Sequence, residues 1–143
     1  MRRRVEGGYE LDDDPARLDL DAIWAFLSTE AYWGRDRTRE DVEGQVRSAA
    51  RVVGVYVEDR QVGFGRIHSD GRIAYLADVY VLYEHRGLGL GLELVRAAVD
   101  EGPQRNLRWL LHTEDAHGLY EKFGFGPPSD RVMERPPPTR TDV

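Results

Sequence analysis

The stretch YLADVYVLYEHRGLGLG, at residues 75–91 of this 143-residue chain, carries the clearest structural signal in the sequence. It begins within an apolar run from Ile73 to Val81 that is rich in β-branched and aromatic side chains, a composition typical of a strand. Glycines then stand at positions 87, 89 and 91, and a helical pattern of apolar residues continues to a stop at Gly102 and Pro103. The stretch therefore predicts a strand, a glycine-rich loop and a helix in direct succession.

The loop Arg86–Gly91 is predicted to bind phosphate. At a helix start the first N–H groups lack intrahelical partners and the dipole is positive, so an anion is stabilised there. Glycines let a phosphate approach the backbone and accept positive φ. The dinucleotide fingerprint fails because Leu92 or Leu94 takes the third glycine position, and the Gly-Lys-Ser/Thr ending of a P-loop is absent. A merely flexible connection is the alternative.

The remaining pattern predicts one domain over residues 8–134, with mobile ends at 1–7 and at the proline-containing 135–143. The order βααβββαβαβ indicates an α/β (α+β) fold with a mixed, mostly antiparallel sheet and helices on both faces. We expect strands near residues 9–11, 52–57, 62–67, 73–81, 109–111 and 132–134. We expect helices from residue 20, from 38 to about 48, from about 92 to 102 and from 116 to 123.

Composition excludes several classes of protein. With 26 acidic against 20 basic residues the net charge is -6, which argues against a nucleic-acid surface. There is no cysteine, so disulfides and thiolate chemistry are excluded, and the histidines lack zinc-site spacing, so we expect no metal. No apolar run reaches membrane-spanning length. We therefore expect a cytoplasmic protein without membrane partners, and a homodimer is compatible with the sequence.

Two motifs together resemble those of the GNAT superfamily of N-acetyltransferases. The first is R-x-x-G-x-G at Arg86, Gly89 and Gly91, and the second is AHGLYEKFGF at residues 116–125, a helix that carries Tyr120 before Gly-Phe. Their separation and the order of elements are also those of the family. The resemblance implies an acetyltransferase that uses acetyl-CoA as its donor.

The resemblance also implies roles for particular residues. Tyr120 would face the thioester sulfur, and the backbone of Val79 and Val81 would pair with the pantetheine arm where the strands at 73–81 and 108–113 separate. The family's frequent residues are replaced at Leu82-Tyr83, Leu88 and Thr113, and none of these changes removes a backbone donor. The backbone amides that would hold the pyrophosphate belong to Arg86, Gly87, Leu88, Gly89, Leu90 and Gly91.

The reaction requires a proton acceptor, because an alkylamine is mostly protonated at pH 7. Asp78 and His112 are the candidates. Alternatively, Asp78 orients backbone N–H groups and His112 is held by a backbone partner. Tyr120 is the expected hydrogen-bond donor to the departing thiolate, and a backbone N–H near Val79 is expected to stabilise the oxyanion.

The acceptor is expected to be a small primary amine with an apolar or aromatic body, bound beside Trp24, Tyr32 and Trp33, whose rings would attract a cation. Alternatively, Arg37 holds the carboxylate of an amino acid, and peptide or protein amines remain open. The main alternative function is a regulatory module of the same fold that binds acyl-CoA without turnover. A pure interaction domain would leave the glycine loop unexplained.

Overall fold

A six-stranded sheet forms the centre of the computed structural model, which describes residues 1–31 and 36–138. The strands lie in sequence order, and all neighbours are antiparallel except the last pair, which is parallel. The predicted mixed, mostly antiparallel sheet is therefore confirmed. The strands are β1 (Arg2–Val5), β2 (Tyr9–Asp12), β3 (Arg51–Val57), β4 (Arg60–Ser69), β5 (Ile73–Val81) and β6 (Arg108–Leu110).

Four α-helices cover the two faces of the sheet. They are α1 (Leu20–Thr29), α2 (Arg39–Arg47), α3 (Leu90–Asp100) and α4 (His117–Glu121), with short 3₁₀ turns at Pro15–Arg17 and Tyr83–His85. The Thr38 side chain and Asp41 form a capping box at the start of α2.

The sheet separates two hydrophobic cores, because side chains alternate along each strand. In β3, Val52 packs towards α1 and α2, whereas Val53 and Val55 pack towards α3. Phe26 of α1 stacks on Tyr80 of β5, with ring centroids 4.0 Å apart. Phe26 therefore belongs to the core on the α1 and α2 side.

The N-terminal residues differ from the prediction. Residues 1–7 were expected to be a mobile end, but Arg2–Val5 pair with β2 in an antiparallel hairpin. Gly7 and Gly8 make the turn with φ of 92° and 84°. The sequence does not predict this strand because three of its four residues are arginines. An edge strand buries few side chains and therefore tolerates charged residues. Arg3 is further held by ion pairs to Glu93 and Glu101.

The C-terminal residues also differ. The edge strand predicted at 132–134 is not formed, and no strand follows β6 within the described residues, so the observed order is ββααβββαβα. The Val132 N–H donates instead to the Ser129 carbonyl, which closes a turn. Prolines on both sides of this segment supply no N–H donor for a ladder.

The sheet opens between its last two strands. β6 pairs with β5 only opposite Ile73, Ala74 and Tyr75, while β5 continues through residues 76–81 beside no other described strand on that edge. The strands thus separate after Tyr75, and this gap positions the candidate site.

Candidate active site

A cavity of about 550 Å³ lies where β5 and β6 separate. Among the described residues it is lined by Arg37, Arg66, residues 75–79, residues 112–116 and Tyr120. All three predicted chemical side chains, those of Asp78, His112 and Tyr120, therefore border one space. The cavity has a buried, charged floor on β4 and β5 and an exposed rim that follows β6.

The floor is built around a bulge in β5. Ala77 pairs with Arg66 and Tyr80 pairs with Phe64, so two residues of β5 lie opposite Gly65 alone. Asp78, the first of these two, has φ of 57°, in the left-handed region that non-glycine residues seldom adopt. Strain of this kind persists only where the surroundings fix it, and here it turns the Asp78 carboxylate towards two arginines.

The two arginines hold the carboxylate. Arg37 donates from its two terminal nitrogens to the two Asp78 oxygens at 2.8 and 3.0 Å, and Arg66 Nε donates to Asp78 Oδ2 at 3.0 Å. The Asp78 side chain is only 4% exposed. Burial raises the pKa of Asp78, but the hydrogen bonds from Arg37 and the charges of Arg66 and Arg37 outweigh it and hold the pKa below its usual value.

This arrangement disfavours Asp78 as the proton acceptor that the sequence offered. A carboxylate with a lowered pKa is a weak base, and both of its oxygens already accept from guanidinium groups. The alternative, in which Asp78 fixes the backbone next to Val79, fits the bulge better. Among the residues that the structure describes, two guanidinium groups and one carboxylate give the floor of the cavity one net positive charge.

The rim carries a chain of hydrogen bonds through His112. Its Nδ1 is hydrogen-bonded to the Tyr75 hydroxyl, and its Nε2 lies 2.7 Å from Glu134 Oε2. The partners of His112 are therefore side chains, and the predicted backbone partner is not found among the described contacts. The sequence reasoning missed Tyr75, Glu134 and Arg66. Of these three residues, only Tyr75 could have been found from the sequence. It lies two residues before Ala77 in the predicted strand, so the two side chains point to the same face of the sheet.

Tyr120 enters the cavity from α4. Its ring makes an edge contact with Phe125, the last residue of the second motif, at 5.9 Å between centroids, and the Phe125 N–H donates to the Tyr120 carbonyl. Thr113, which stands where the family often has asparagine, accepts from the Ala116 N–H through its hydroxyl at 3.1 Å. The second hallmark is therefore a local unit that fixes Tyr120 beside the opening in the sheet.

The glycine loop has the properties that a phosphate requires. Gly87 and Gly89 have φ of 83° and 80°, and Gly89 is the N-cap of α3 without offering a side-chain acceptor to the first N–H groups. A methyl group in place of a hydrogen on Gly87, Gly89 or Gly91 would meet no atom within 4 Å. The loop thus fits the pyrophosphate of CoA by its open space and by the dipole of α3.

Two contacts fix the end of β5 next to the loop. Arg86 Nε donates to the Val81 carbonyl at 2.9 Å, and the Leu82 N–H donates to the Val62 carbonyl at 2.8 Å. The Arg86 side chain thereby braces the turn out of the strand. Because the Val81 carbonyl already accepts this bond, the backbone at Val79 is the better placed of the two predicted pairing positions for a pantetheine arm.

The predicted acceptor residues have different outcomes. Trp24 packs beside the α1 and α2 core and is not among the described residues that line the cavity. Tyr32 and Trp33 lie outside the described residues. Arg37 lines the cavity, but its terminal nitrogens are bonded to Asp78 and to Gln45. A substrate carboxylate would have to compete with Asp78 for the same two guanidinium nitrogens of Arg37.

The structure also bears on metal binding and on membrane insertion, both of which the sequence raised. Over residues 1–31 and 36–138, no group of three or more histidine, aspartate or glutamate side chains is placed to hold a metal ion. In the same part of the chain, no helix has the length and apolar character needed to cross a membrane.

Comparison with known proteins agrees with this geometry. A crystal structure from Xanthomonas campestris, assigned to the GNAT family of acetyltransferases, is 37% identical in sequence, with a TM-score of 0.84 over 91% of this chain and 94% of that one. A protein of Gibberella zeae, named provisionally as an acetyltransferase, is 31% identical over 85% of this chain and 81% of its own length.

A more distant structure shares the fold alone. Glucosamine-6-phosphate N-acetyltransferase from Arabidopsis thaliana is 14% identical, with a TM-score of 0.62 over 89% of this chain and 97% of that one. Residues 19–125, which include α1, the glycine loop and the Tyr120 hallmark, match the Acetyltransferase (GNAT) family. The chain therefore belongs to the GNAT family of acetyltransferases, whose members use acetyl-CoA as donor.

Proposed function

We propose that this protein is an acetyl-CoA-dependent N-acetyltransferase that acetylates a small primary amine by direct attack on the thioester. The observation that carries the proposal is the open edge of β5 at residues 76–81, which runs from the cavity with Tyr120 to the glycine loop. Such an edge can pair with an extended ligand as a further strand would. An acetyl-CoA arm laid along it would bring its thioester to the cavity.

The residues that would hold the donor act through their backbone. The N–H groups of the loop Arg86–Gly91 bind the pyrophosphate at the positive end of α3, and the Val79 backbone pairs with the pantetheine arm. Bound there, acetyl-CoA supplies an activated acetyl group and a thiolate leaving group. Tyr120 donates a hydrogen bond to the sulfur as negative charge develops on it.

The floor and the rim of the cavity favour opposite protonation states of the acceptor amine. Glu114 and Asp115 stand exposed at the rim, where negative charge attracts a protonated amine. At the floor, Arg37 and Arg66 outnumber Asp78, and their net positive charge disfavours an ammonium group. An amine that moves from rim to floor is therefore driven to lose its proton, and neutral nitrogen is the nucleophile.

Tyr32 and Trp33 remain the candidate contacts for the acceptor's apolar body, as the sequence predicts. Recognition of a carboxylate by Arg37 is the less favoured account, because its fork is bonded to Asp78. Trp33→Ala is the variant that tests the aromatic contact. Arg37→Ala is a poor test of carboxylate recognition because it would also remove a partner from the buried Asp78.

Two measurements test the function. Acetyl-CoA at millimolar concentration should raise the melting temperature, because a ligand bound only by the native state stabilises it by mass action. CoA release should then depend on an added amine in a panel of arylalkylamines, polyamines, amino acids and lysine peptides, assayed on wild type and Trp33→Ala. Binding without amine-dependent release from any acceptor would favour the non-catalytic module, and absence of both would contradict the proposal.

A further inference from the structure

We propose that Tyr75, His112 and Glu134 form a proton relay that carries the acceptor's proton from the cavity to solvent. Tyr75 is the catalytic residue that touches the amine, and His112 and Glu134 are positioning residues that act through it. The proposal rests on the proposed function, because the relay serves acetylation of an amine. It assigns a role to two side chains, Tyr75 and Glu134, that neither motif of the family includes.

The hydrogen bonds fix the tautomer of His112. An ionised carboxylate only accepts hydrogen bonds, so the Glu134 oxygen 2.7 Å away places a proton on His112 Nε2. In a neutral imidazole Nδ1 is then an acceptor, and its partner is the Tyr75 hydroxyl, which therefore donates. The order of donation is Tyr75 to His112 to Glu134, and it leaves the Tyr75 oxygen free to accept from a group in the cavity.

Tyr75 is suited to pass a proton on and unsuited to hold a charge. It stands at the last position where β5 pairs with β6, so its side chain borders the point at which the cavity opens. Burial raises the pKa of Tyr75, with a smaller opposing effect of Arg66 and a further raising effect of Asp78 and Glu134. The hydroxyl thus stays protonated at neutral pH and acts by receiving one proton while giving up another.

Two proton transfers precede formation of the C–N bond. The amine gives a proton to the Tyr75 oxygen, and the Tyr75 proton passes to His112 Nδ1, so the imidazole becomes a cation next to the Glu134 carboxylate. The neutral nitrogen then forms the C–N bond, and as the C–S bond breaks the second proton lost by the nitrogen passes to the departing thiolate, so the products are the amide and the CoA thiol. The His112 side chain is 71% exposed and that of Glu134 is 64% exposed, so the proton is lost to water. A buried His112 would trap it.

The charged groups that the structure describes in the cavity are compatible with this direction. Arg37, Arg66, Asp78, Glu114 and Asp115 line the same cavity as Tyr75 and His112, and Glu134 approaches His112 from the C-terminal segment. The cation that forms on His112 therefore lies among carboxylates at the rim. At the floor, by contrast, Arg66 opposes a cation, so the proton moves outward.

The kinetic test uses two acceptors that differ in their need for a base. Benzylamine is mostly protonated at neutral pH, whereas aniline is neutral, and both are assayed with acetyl-CoA. Tyr75→Phe should lower kcat for benzylamine about 10²-fold, at the lower end of the range typical of acid–base catalysis, and Glu134→Gln, which acts through His112, should lower it about 10-fold. The rate with aniline should change less than about threefold, because a neutral amine needs no relay. Glu121→Gln, the same change at an exposed residue of α4, is the matched control.

A second test does not depend on turnover. Nitrogen NMR of His112 at neutral pH should show the tautomer protonated at Nε2 in the wild type, and protonation at Nδ1 would overturn the relay. Equal losses with benzylamine and aniline would show a structural role and would also overturn it. A wild type that binds acetyl-CoA but releases no CoA with any amine would instead refute the proposed function, and the relay with it.

Discussion

The two sides of the cavity fix their charged groups in opposite ways. On the floor, the Asp78 side chain is 4% exposed and is held by two arginines from separate parts of the chain, Arg37 and Arg66. On the rim, His112 and Glu134 are paired in the open, at 71% and 64% exposure. Buried ion pairs have strict geometry and a high cost of disruption, whereas exposed pairs contribute little to stability. The floor therefore suits the fixing of a backbone, and the rim suits exchange of protons with water.

The largest expected effect follows from removing the centre of the floor. Asp78→Ala removes a buried carboxylate and leaves two partly buried guanidinium groups without their shared partner, so it should lower the free energy of unfolding by about 3 kcal/mol. Glu134→Ala, the matched deletion on the rim, should lower it by less than about 1 kcal/mol. Urea denaturation of both variants measures the contrast. Equal losses would refute the division into a structural floor and an exposed rim.

A substitution in the glycine loop is expected to weaken ligand binding without preventing folding. Gly91 lies in α3, and a Cβ there would enter open space, so Gly91→Val should fold. Its side chain should nevertheless occupy the phosphate position and weaken acetyl-CoA binding about 100-fold or more, equivalent to about 2.7 kcal/mol. Gly89 is a poorer choice because its φ of 80° would strain any β-branched residue.

Gly44→Val is the matched control for Gly91→Val. Gly44 also lies in a helix, α2, and a Cβ there also meets no atom within 4 Å. Acetyl-CoA should raise the melting temperature of this variant as it does that of the wild type. If Gly91→Val shows the same rise, the loop does not cradle the phosphates.

Tyr120→Phe should have a smaller effect, confined to turnover. The hydroxyl interacts most strongly when the sulfur becomes anionic, so its loss should lower kcat about 10-fold or more with little change in acetyl-CoA affinity. Steady-state kinetics and a thermal shift measure the two quantities separately. An unchanged kcat would remove Tyr120 from the mechanism and leave water as the proton donor.

Local sequence was enough to predict the parts of the site that depend on neighbours in the chain. The glycine loop and Tyr120 lie in short motifs whose backbone geometry is set by adjacent residues, such as Thr113 and Phe125. The sheet and its two covered faces followed from strand and helix periodicity, whereas the separation of the strands at 73–81 and 108–113 was implied by the resemblance to the GNAT superfamily. The short charged strand β1 was missed because its stability comes from pairing with β2, and periodicity does not show that partner.

Partners distant in sequence could not be predicted. Arg37 reaches Asp78 across 41 positions, and Glu134 reaches His112 across 22, and no spacing rule links them. The roles of Asp78 and His112 depend on these partners, which is why both were open as proton acceptors from the sequence. The expectation for Tyr32 and Trp33 stays a prediction.

The smallest expected effect is a change in stability at acid pH. It separates the contribution of the Asp78 charge from the contribution of the side chain's shape. The pKa of Asp78 is held below its usual value in the folded protein, so its ionised form contributes stability that is fully present above the unfolded pKa of about 3.9. That contribution is lost as the pH falls through the lower folded pKa. Asp78→Asn has a similar shape but cannot ionise, so wild type should be more stable than this variant by a constant amount at neutral pH. The difference should shrink as the pH falls below about 3.9, because the wild-type carboxyl then becomes neutral as well. Urea denaturation of both proteins between neutral and acid pH measures it, and two curves that remain parallel would show that the arginines do not act on Asp78 through its charge.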